Sequence, residues 1–398
     1  MGSVYVHFPY CLAKCPYCDF TSYASRRDDI DHAGYADAVL AELRGRARAL
    51  GARGRALEVA TVFFGGGTPS LWEPAELGRV LEGVRATFPC APDLEVTVEC
   101  NPTSLDASRA AALRDVGVGR LSIGSQSLDA EELRFLGRLH DPAGALAAVR
   151  AALGIQGLRV SSDLIFGLPG QAPEAAAAQA ATLAELGLRH VSAYQLTIEA
   201  GTRFGELAKV GRLPLADDGR VAEAFLAVDE ALVARGFEHY EISNFARPGE
   251  RARHNVGYWR GEEYLGLGCG AVGALEHDDR RAATRYRNPT SPADYMLRAT
   301  ALGEAVTLGL EGEGLSLEVE PLSPETRLKE RIMLGLRLAE GFDLAAAAGE
   351  VGVEAFTPER ERAIARATAR GRLVREGTRL SIPRAAWLFT DDTAARLF

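Results

Sequence analysis

Tyr5-Val6-His7-Phe8-Pro9-Tyr10-Cys11-Leu12-Ala13-Lys14-Cys15-Pro16-Tyr17-Cys18-Asp19-Phe20 begins as a short apolar run and ends in three cysteines spaced Cys-x3-Cys-x2-Cys. Val4–Phe8 reads as a strand, and the cysteines follow it directly. Three thiolates this close can grip one face of a metal cluster and leave one metal corner without a protein ligand. A four-iron cluster normally takes four cysteines, so Cys11, Cys15 and Cys18 point to an iron kept open, as catalytic metal sites keep a position open. A zinc knuckle is the alternative, but it needs a fourth ligand. His7 could supply it, yet it lies within the apolar run, where a strand is the simpler reading. Cys90, Cys100 and Cys269 are scattered, and each reads as a small buried side chain.

Outward from this stretch, β-type runs alternate with Ala/Leu/Arg-rich helical patterns. Strands are expected at Val4–Phe8, Val59–Phe64, Leu94–Glu99, Arg120–Gly124, Leu158–Ile165 and Val191–Leu196. Helices are expected at Tyr35–Ala49, Pro74–Thr87, Ala107–Val116, Ala130–Leu136, Ala143–Leu153 and Pro173–Leu186. The alternation predicts an α/β fold whose parallel sheet is wound as a barrel or open barrel. Chemistry in such folds sits at the carboxyl ends of the strands. Gly65-Gly66-Gly67-Thr68, Glu99, Gln126, Asp163 and Tyr194 to Thr197 all fall at or near those ends.

We place a core at 1–205, an extension packed on it at 206–307, an acidic, aperiodic linker at 308–324 and a small carboxyl-terminal domain at 325–398. Helical patterns at Leu328–Leu338 and Ala363–Arg370, with a tight turn at Glu376-Gly377, resemble a winged helix. The formal charge of −9 gives no support for nucleic-acid binding, so this domain reads as a structural or substrate-covering cap. No apolar run is long enough to cross a bilayer and no signal peptide precedes the cysteines. The expectation is a cytoplasmic protein, with peripheral membrane contact left open.

GGGTPS at Gly65–Ser70 lacks the Lys-Ser/Thr of a phosphate loop. Its glycines let a ligand reach main-chain groups. GLGCGAVG at Gly266–Gly273 contains G-x-G-x-x-G but lacks the βαβ context of dinucleotide binding, so close backbone packing or approach to a ligand is the better reading. His254-Asn255-Val256-Gly257-Tyr258-Trp259 sets a histidine beside aromatic plates that could line a flat macrocycle.

The motifs YVHFPYCLAKCPYCDF, FFGGGTPS, VECNP, SIGSQS, LGRLH, DLIFGLPGQ, YQLTIEAGT, YEISNFAR and HNVGYW run from Tyr5 to about Gly273. They resemble the radical S-adenosylmethionine (SAM) proteins of the oxygen-independent coproporphyrinogen III oxidase (HemN-like) family, and within it the HemW-type haem chaperones. The resemblance implies a partial (β/α)6 barrel with a helical, winged-helix-like domain after it. It implies a 4Fe-4S cluster on Cys11, Cys15 and Cys18, with SAM on the fourth iron. Tyr5, Tyr17, Gly66, Gly67, Thr68, Glu99, Gln126, Arg138 and Asp163 match the family's SAM contacts. His254 is the candidate haem contact.

Two functions are open under this resemblance. One is a chaperone that delivers haem to apo-haemoproteins, such as respiratory enzymes, served by a one-electron donor such as flavodoxin or ferredoxin. The other is the oxidase, converting coproporphyrinogen III to protoporphyrinogen IX. The oxidases typically carry a further cysteine where this chain has Phe20, and an amino-terminal extension where this chain has only four residues before Tyr5. Both departures favour the chaperone, and no catalytic acid or base stands out.

Overall fold

A computed structural model describes residues 2–277, 279–301 and 315–398. The first half alternates as β1 (Gly2–Phe8), α1 (His32–Ala52), β2 (Val59–Gly66), α2 (Pro74–Thr87), β3 (Cys90–Cys100), α3 (Ala107–Asp115) and β4 (Arg120–Gln126). It continues with α4 (Ala130–Phe135), α5 (Pro142–Leu153), β5 (Arg159–Phe166), α6 (Pro173–Glu185) and β6 (His190–Gln195). Helix starts are written locally. Asp31, Asp106 and Asp141 each accept a backbone N–H of the turn they precede, and proline opens α2, α5 and α6, where its missing N–H costs nothing.

Next come α7 (Arg203–Lys209), α8 (Asp218–Val233), β7 (Glu238–Glu241), β8 (Asn244–Ala246) and α9 (Arg253–Trp259). Then follow β9 (Tyr264–Leu267), β10 (Val272–Glu276), β11 (Ala283–Arg287), α10 (Pro292–Ala301) and β12 (Glu318–Leu322). The twelve strands named so far form one sheet in the order β12-β11-β10-β9-β1-β2-β3-β4-β5-β6-β8-β7. From β9 through β6 every neighbouring pair is parallel, and antiparallel strands extend both sides. This is the expected partial barrel, an open sheet lengthened on one side by strands from 238–246 and on the other by strands from 264–322.

Alternation along the parallel strands separates two environments. Val4, Val6, Phe8, Val62, Phe64, Val96, Val98, Leu121 and Ile123 are buried in one apolar cluster with side chains of α1, α2, α3 and α5. The intervening positions Tyr5, Phe63, Glu99, Ser122, Gly124 and Asp163 line cavities. The Ala-rich stretch of α6 buries Ala176, Ala180 and Ala181, and these small side chains let α8 pack closely on it. The second glycine string is a packing device. A Cβ on Gly266 would strike the Val272 carbonyl, and one on Gly268 would strike that of His7.

One expectation needs correction. Residues 315–324 do not form an irregular linker: Glu318–Leu322 is edge strand β12, paired with β11. Residues 308–314 of that stretch lie outside the described residues. The carboxyl-terminal part contains α11 (Pro324–Gly335), β13 (Phe342–Asp343), α12 (Leu344–Val351), α13 (Pro358–Ala369), β14 (Val374–Glu376), β15 (Arg379–Ser381) and α14 (Thr390–Ala395). Its helices enclose a core of their own, and β14 and β15 form the expected wing through Gly377, at φ +64°. A backbone bridge between Glu241 and Leu338, with Ile242 N–H donating to the Arg337 carbonyl at 3.2 Å, fastens this part to the edge of β7. No helix among the described residues is long and apolar enough to cross a membrane.

Candidate cluster and cofactor site

The carboxyl ends of the parallel strands open into a cavity of about 670 Å3. Cys11, Cys15 and Cys18 line it from the loop after β1, all as free thiols. A short parallel pairing of Tyr10–Cys11 with Tyr23–Ala24 closes this loop, and Cys18 N–H donates to the Cys15 carbonyl at 3.2 Å. Each sulfur has a polar neighbour. Thr68 Oγ1 donates to Cys11 Sγ at 3.3 Å, Arg138 Nη1 approaches Cys15 Sγ at 3.3 Å, and Ser22 Oγ lies 4.0 Å from Cys18 Sγ. Burial pushes the Cys11 thiol up to about 11, partly opposed by the Thr68 bond, and burial likewise raises Cys18. Both thiols therefore rest protonated until a cation is present, and metal binding must release those protons.

Among the described residues no three His, Cys, Asp or Glu side chains converge on a single ion. A cluster takes one thiolate per iron, so its ligands need not converge. The trio thus suits a cluster better than a zinc ion.

Beside the thiols lies the glycine loop after β2. Gly66 adopts φ +108°, and a Cβ there would collide with the His7 ring; a Cβ on Gly67 would meet the Tyr10 carbonyl oxygen at 2.7 Å. Only glycine keeps this cradle open. Gly66 N–H donates to Glu99 Oε2 at 3.1 Å. Ser122 Oγ donates to Asp163 Oδ1 at 3.2 Å. Burial, with the nearby Asp163 charge, raises the Glu99 carboxyl to about 8, and burial raises Asp163 to about 6. A cation placed beside these two carboxyls would draw them back towards their ordinary range.

Gln126 is held at φ 65°, a rare backbone state outside glycine, and its buried Oε1 has no partner. Arg138 Nε is also buried without an acceptor. An unmet acceptor and an unmet donor in one cavity fit a ligand carrying both amino and carboxylate groups. Tyr17 lines the same cavity and packs near Phe204, ring centroids 6.4 Å apart.

The structure therefore gathers the three cysteines with Tyr17, Gly66, Gly67, Thr68, Glu99, Gln126, Arg138 and Asp163 around one cavity. Tyr5 and His254 stand apart, on a smaller cavity of about 220 Å3 that shares only Phe20, Gly66 and Glu99 with the first. Tyr5 bonds His7 Nδ1 at 3.0 Å. His254 is 2 % exposed and stacks on Phe63 at 4.8 Å. Its Nδ1 bonds Thr61 Oγ1 at 2.7 Å and its Nε2 bonds Tyr258 Oη at 3.2 Å. Burial lowers it to about 3, so the ring is neutral. In this conformation neither nitrogen offers a free lone pair to iron.

Sequence reasoning missed Ser122, although the period-two row Ser122, Gly124, Gln126 carries the signal. It also missed Arg337, Trp387, Leu388 and Asp391, which wall the cavity from the carboxyl-terminal part. No local pattern links them to a loop more than three hundred residues earlier.

A parallel partial barrel with three cysteines and a glycine cradle on one cavity defines the class of radical SAM proteins. A model of the radical SAM superfamily matches residues 5–180, and one of the HemN C-terminal domain matches 322–389. The heme chaperone HemW of Escherichia coli (strain K12) is 42% identical over 290 residues, 72% of this chain and 74% of that one. The heme chaperone HemW of Mycobacterium tuberculosis (strain H37Rv) is 37% identical over 343 residues, 86% and 83% of the two chains. The chain belongs to the HemW family of radical SAM proteins. Among solved structures, the radical SAM enzyme coproporphyrinogen III oxidase (HemN) of Escherichia coli shares the fold at TM-score 0.80 and 21% identity, covering 99% of this chain and 89% of that one. Family membership implies a 4Fe-4S cluster and SAM, and the donor set described above fits both.

Proposed function

We propose that this protein is a haem chaperone that carries a 4Fe-4S cluster and SAM, holds haem as cargo and delivers it to apo-haemoproteins. The observation that carries the reading is the three-thiol cavity in a chain of this family, whose relatives in two bacteria bear the name heme chaperone. When bound, the cluster and SAM supply one-electron chemistry that cleaves the sulfonium. The chain's own residues do the rest. The thiolates of Cys11, Cys15 and Cys18 hold iron, the Gly66–Thr68 backbone receives the methionine end, Arg138 takes its carboxylate, and Glu99, Gln126 and Asp163 accept amino and ribose protons. Tyr5, matched to the same set, stands on the adjoining cavity in contact with His7 and Phe63 and would act on SAM through the shared Gly66 and Glu99. His254 is the proposed haem contact on one condition, that its ring gives up Thr61 or Tyr258. The acceptors are proposed to include respiratory enzymes, the electron donor to be a flavodoxin or ferredoxin, and the compartment to be the cytoplasm.

The test is anaerobic reconstitution followed by two assays. Haem uptake and transfer to an apo-acceptor supports the proposal. Turnover of coproporphyrinogen III to protoporphyrinogen IX would replace it with the oxidase. In parallel, His254→Ala should shift the Soret band and weaken haem retention while the iron–sulfur absorbance stays; an unchanged Soret spectrum removes the residue.

A further inference from the structure

The main cavity has two chemically different halves. Its inner half holds the thiols, the glycine cradle and the carboxyls already assigned. A second set of its lining side chains, the outer half, is apolar (Phe225, Ile242, Trp387 and Leu388) and contains none of the residues assigned above to the cluster and SAM. Large apolar side chains also stand in solvent at its rim: Phe20 at 57 %, Leu139 at 62 % and Leu388 at 44 % exposure. They come from three distant segments, so one chain stretch of unusual composition does not explain them. Apolar side chains gathered at the mouth of a cavity mark a ligand-binding surface.

Arg337 lines the cavity along with this apolar set, and its charge also acts on the buried Glu241 carboxyl. Arg337 lies over the Trp259 ring at 4.9 Å, and its Nη1 donates to Asp391 at 3.1 Å. Its Nε–H is buried and has no acceptor among the described residues. A guanidinium edge with an unmet donor beside an apolar wall suits a carboxylate carried on an apolar body.

We propose that the outer half of the cavity binds the propionate-bearing edge of the tetrapyrrole, with Arg337 taking a propionate and Leu388 and Trp387 covering the macrocycle's apolar face. The assignment rests on the haem-chaperone reading and covers the carboxylate edge and one face, leaving the axial ligand to the His254 experiment.

The test titrates the cluster-loaded protein anaerobically with haem and with haem dimethyl ester, whose propionates are masked, following the Soret band. The unaltered protein should prefer the free acid at least tenfold. Arg337→Gln should abolish that preference while cluster absorbance and SAM binding persist, and Arg337→Lys should restore part of it. Leu388→Asp, a change at a half-exposed side chain, should weaken both forms at least tenfold. Preference retained in Arg337→Gln, or affinities unchanged in Leu388→Asp, overturns the site while the chaperone reading stands. Failure of the unaltered protein to bind either form overturns that reading and this site with it.

Discussion

Arg138 ties the cysteine loop to the end of β4: Nη1 meets Cys15 Sγ at 3.3 Å while Nη2 donates to the Gly124 carbonyl at 2.9 Å. One side chain thus sets the distance between the cluster ligand and the strand that carries Gln126. It also leaves a cationic donor on one thiolate.

Such donors tune cluster potentials by favouring the more negative, reduced state. Losing a charge-assisted hydrogen bond should cost about 1–2 kcal/mol of that preference, or roughly 40–90 mV for one electron. Arg138→Met should therefore shift the cluster potential negative by that amount in a redox titration followed by electron paramagnetic resonance. SAM affinity should fall as well, since the same residue faces its carboxylate.

Glu99 makes the apo-protein less stable as pH rises from acid towards about 8. Its folded value of about 8 lies above the unfolded carboxyl value of about 4.3, so the native state keeps a proton that the unfolded chain has lost. Stability contributed in this way is full below about pH 4.3 and is lost as pH rises through about 8. Thermal unfolding without SAM should show that decline, and Glu99→Gln should flatten it. SAM, docking a cation against the carboxylate, should bind more tightly as pH rises towards 8, with the dependence absent in Glu99→Gln.

Gly66→Ala attacks the cradle directly. The positive φ and the His7 ring in the path of a Cβ predict a loss of about 1–3 kcal/mol from backbone strain. Denaturant unfolding should register it, and SAM binding by calorimetry should fall below detection.

Asp229 of α8 is an anchor for the chain's end. It accepts from His239 Nδ1 and Arg384 Nε at 2.8 and 2.7 Å, and these bonds hold its carboxyl below the ordinary value against the effect of burial. Arg384 is more than half exposed, so Asp229→Ala should cost only about 1–2 kcal/mol. Hydrogen exchange should rise in residues 384–395, because Trp387 packs on the His239 ring at 4.2 Å. A depressed carboxyl stabilises above its unfolded value, so this anchor should also weaken as pH falls below about 4.

The strands of the parallel sheet were legible because their buried faces are runs of Val, Leu and Phe bounded by glycine and aspartate. The cysteine trio, the glycine cradle and the polar strand ends could be read for the same reason: local spacing carries their chemistry. β12 was hidden, since Glu318-Val319-Glu320-Pro321 is acidic and exposed, and only its partner β11 makes it a strand. The position of His254 was equally hidden. Its helix tucks the ring against Phe63 of β2, a contact across nearly two hundred residues.

The bridge from Leu338 to Glu241 has a meaning for solubility. An open sheet has two raw margins, and each could recruit a stranger's strand. At one margin the residues around Leu338 occupy hydrogen-bonding positions that β7 would otherwise offer; at the other, Glu318, Glu320 and Pro321 repel or block a newcomer. A chain cut short after β12 would keep its cysteines and lose that guard, and clumping would then be its expected fate.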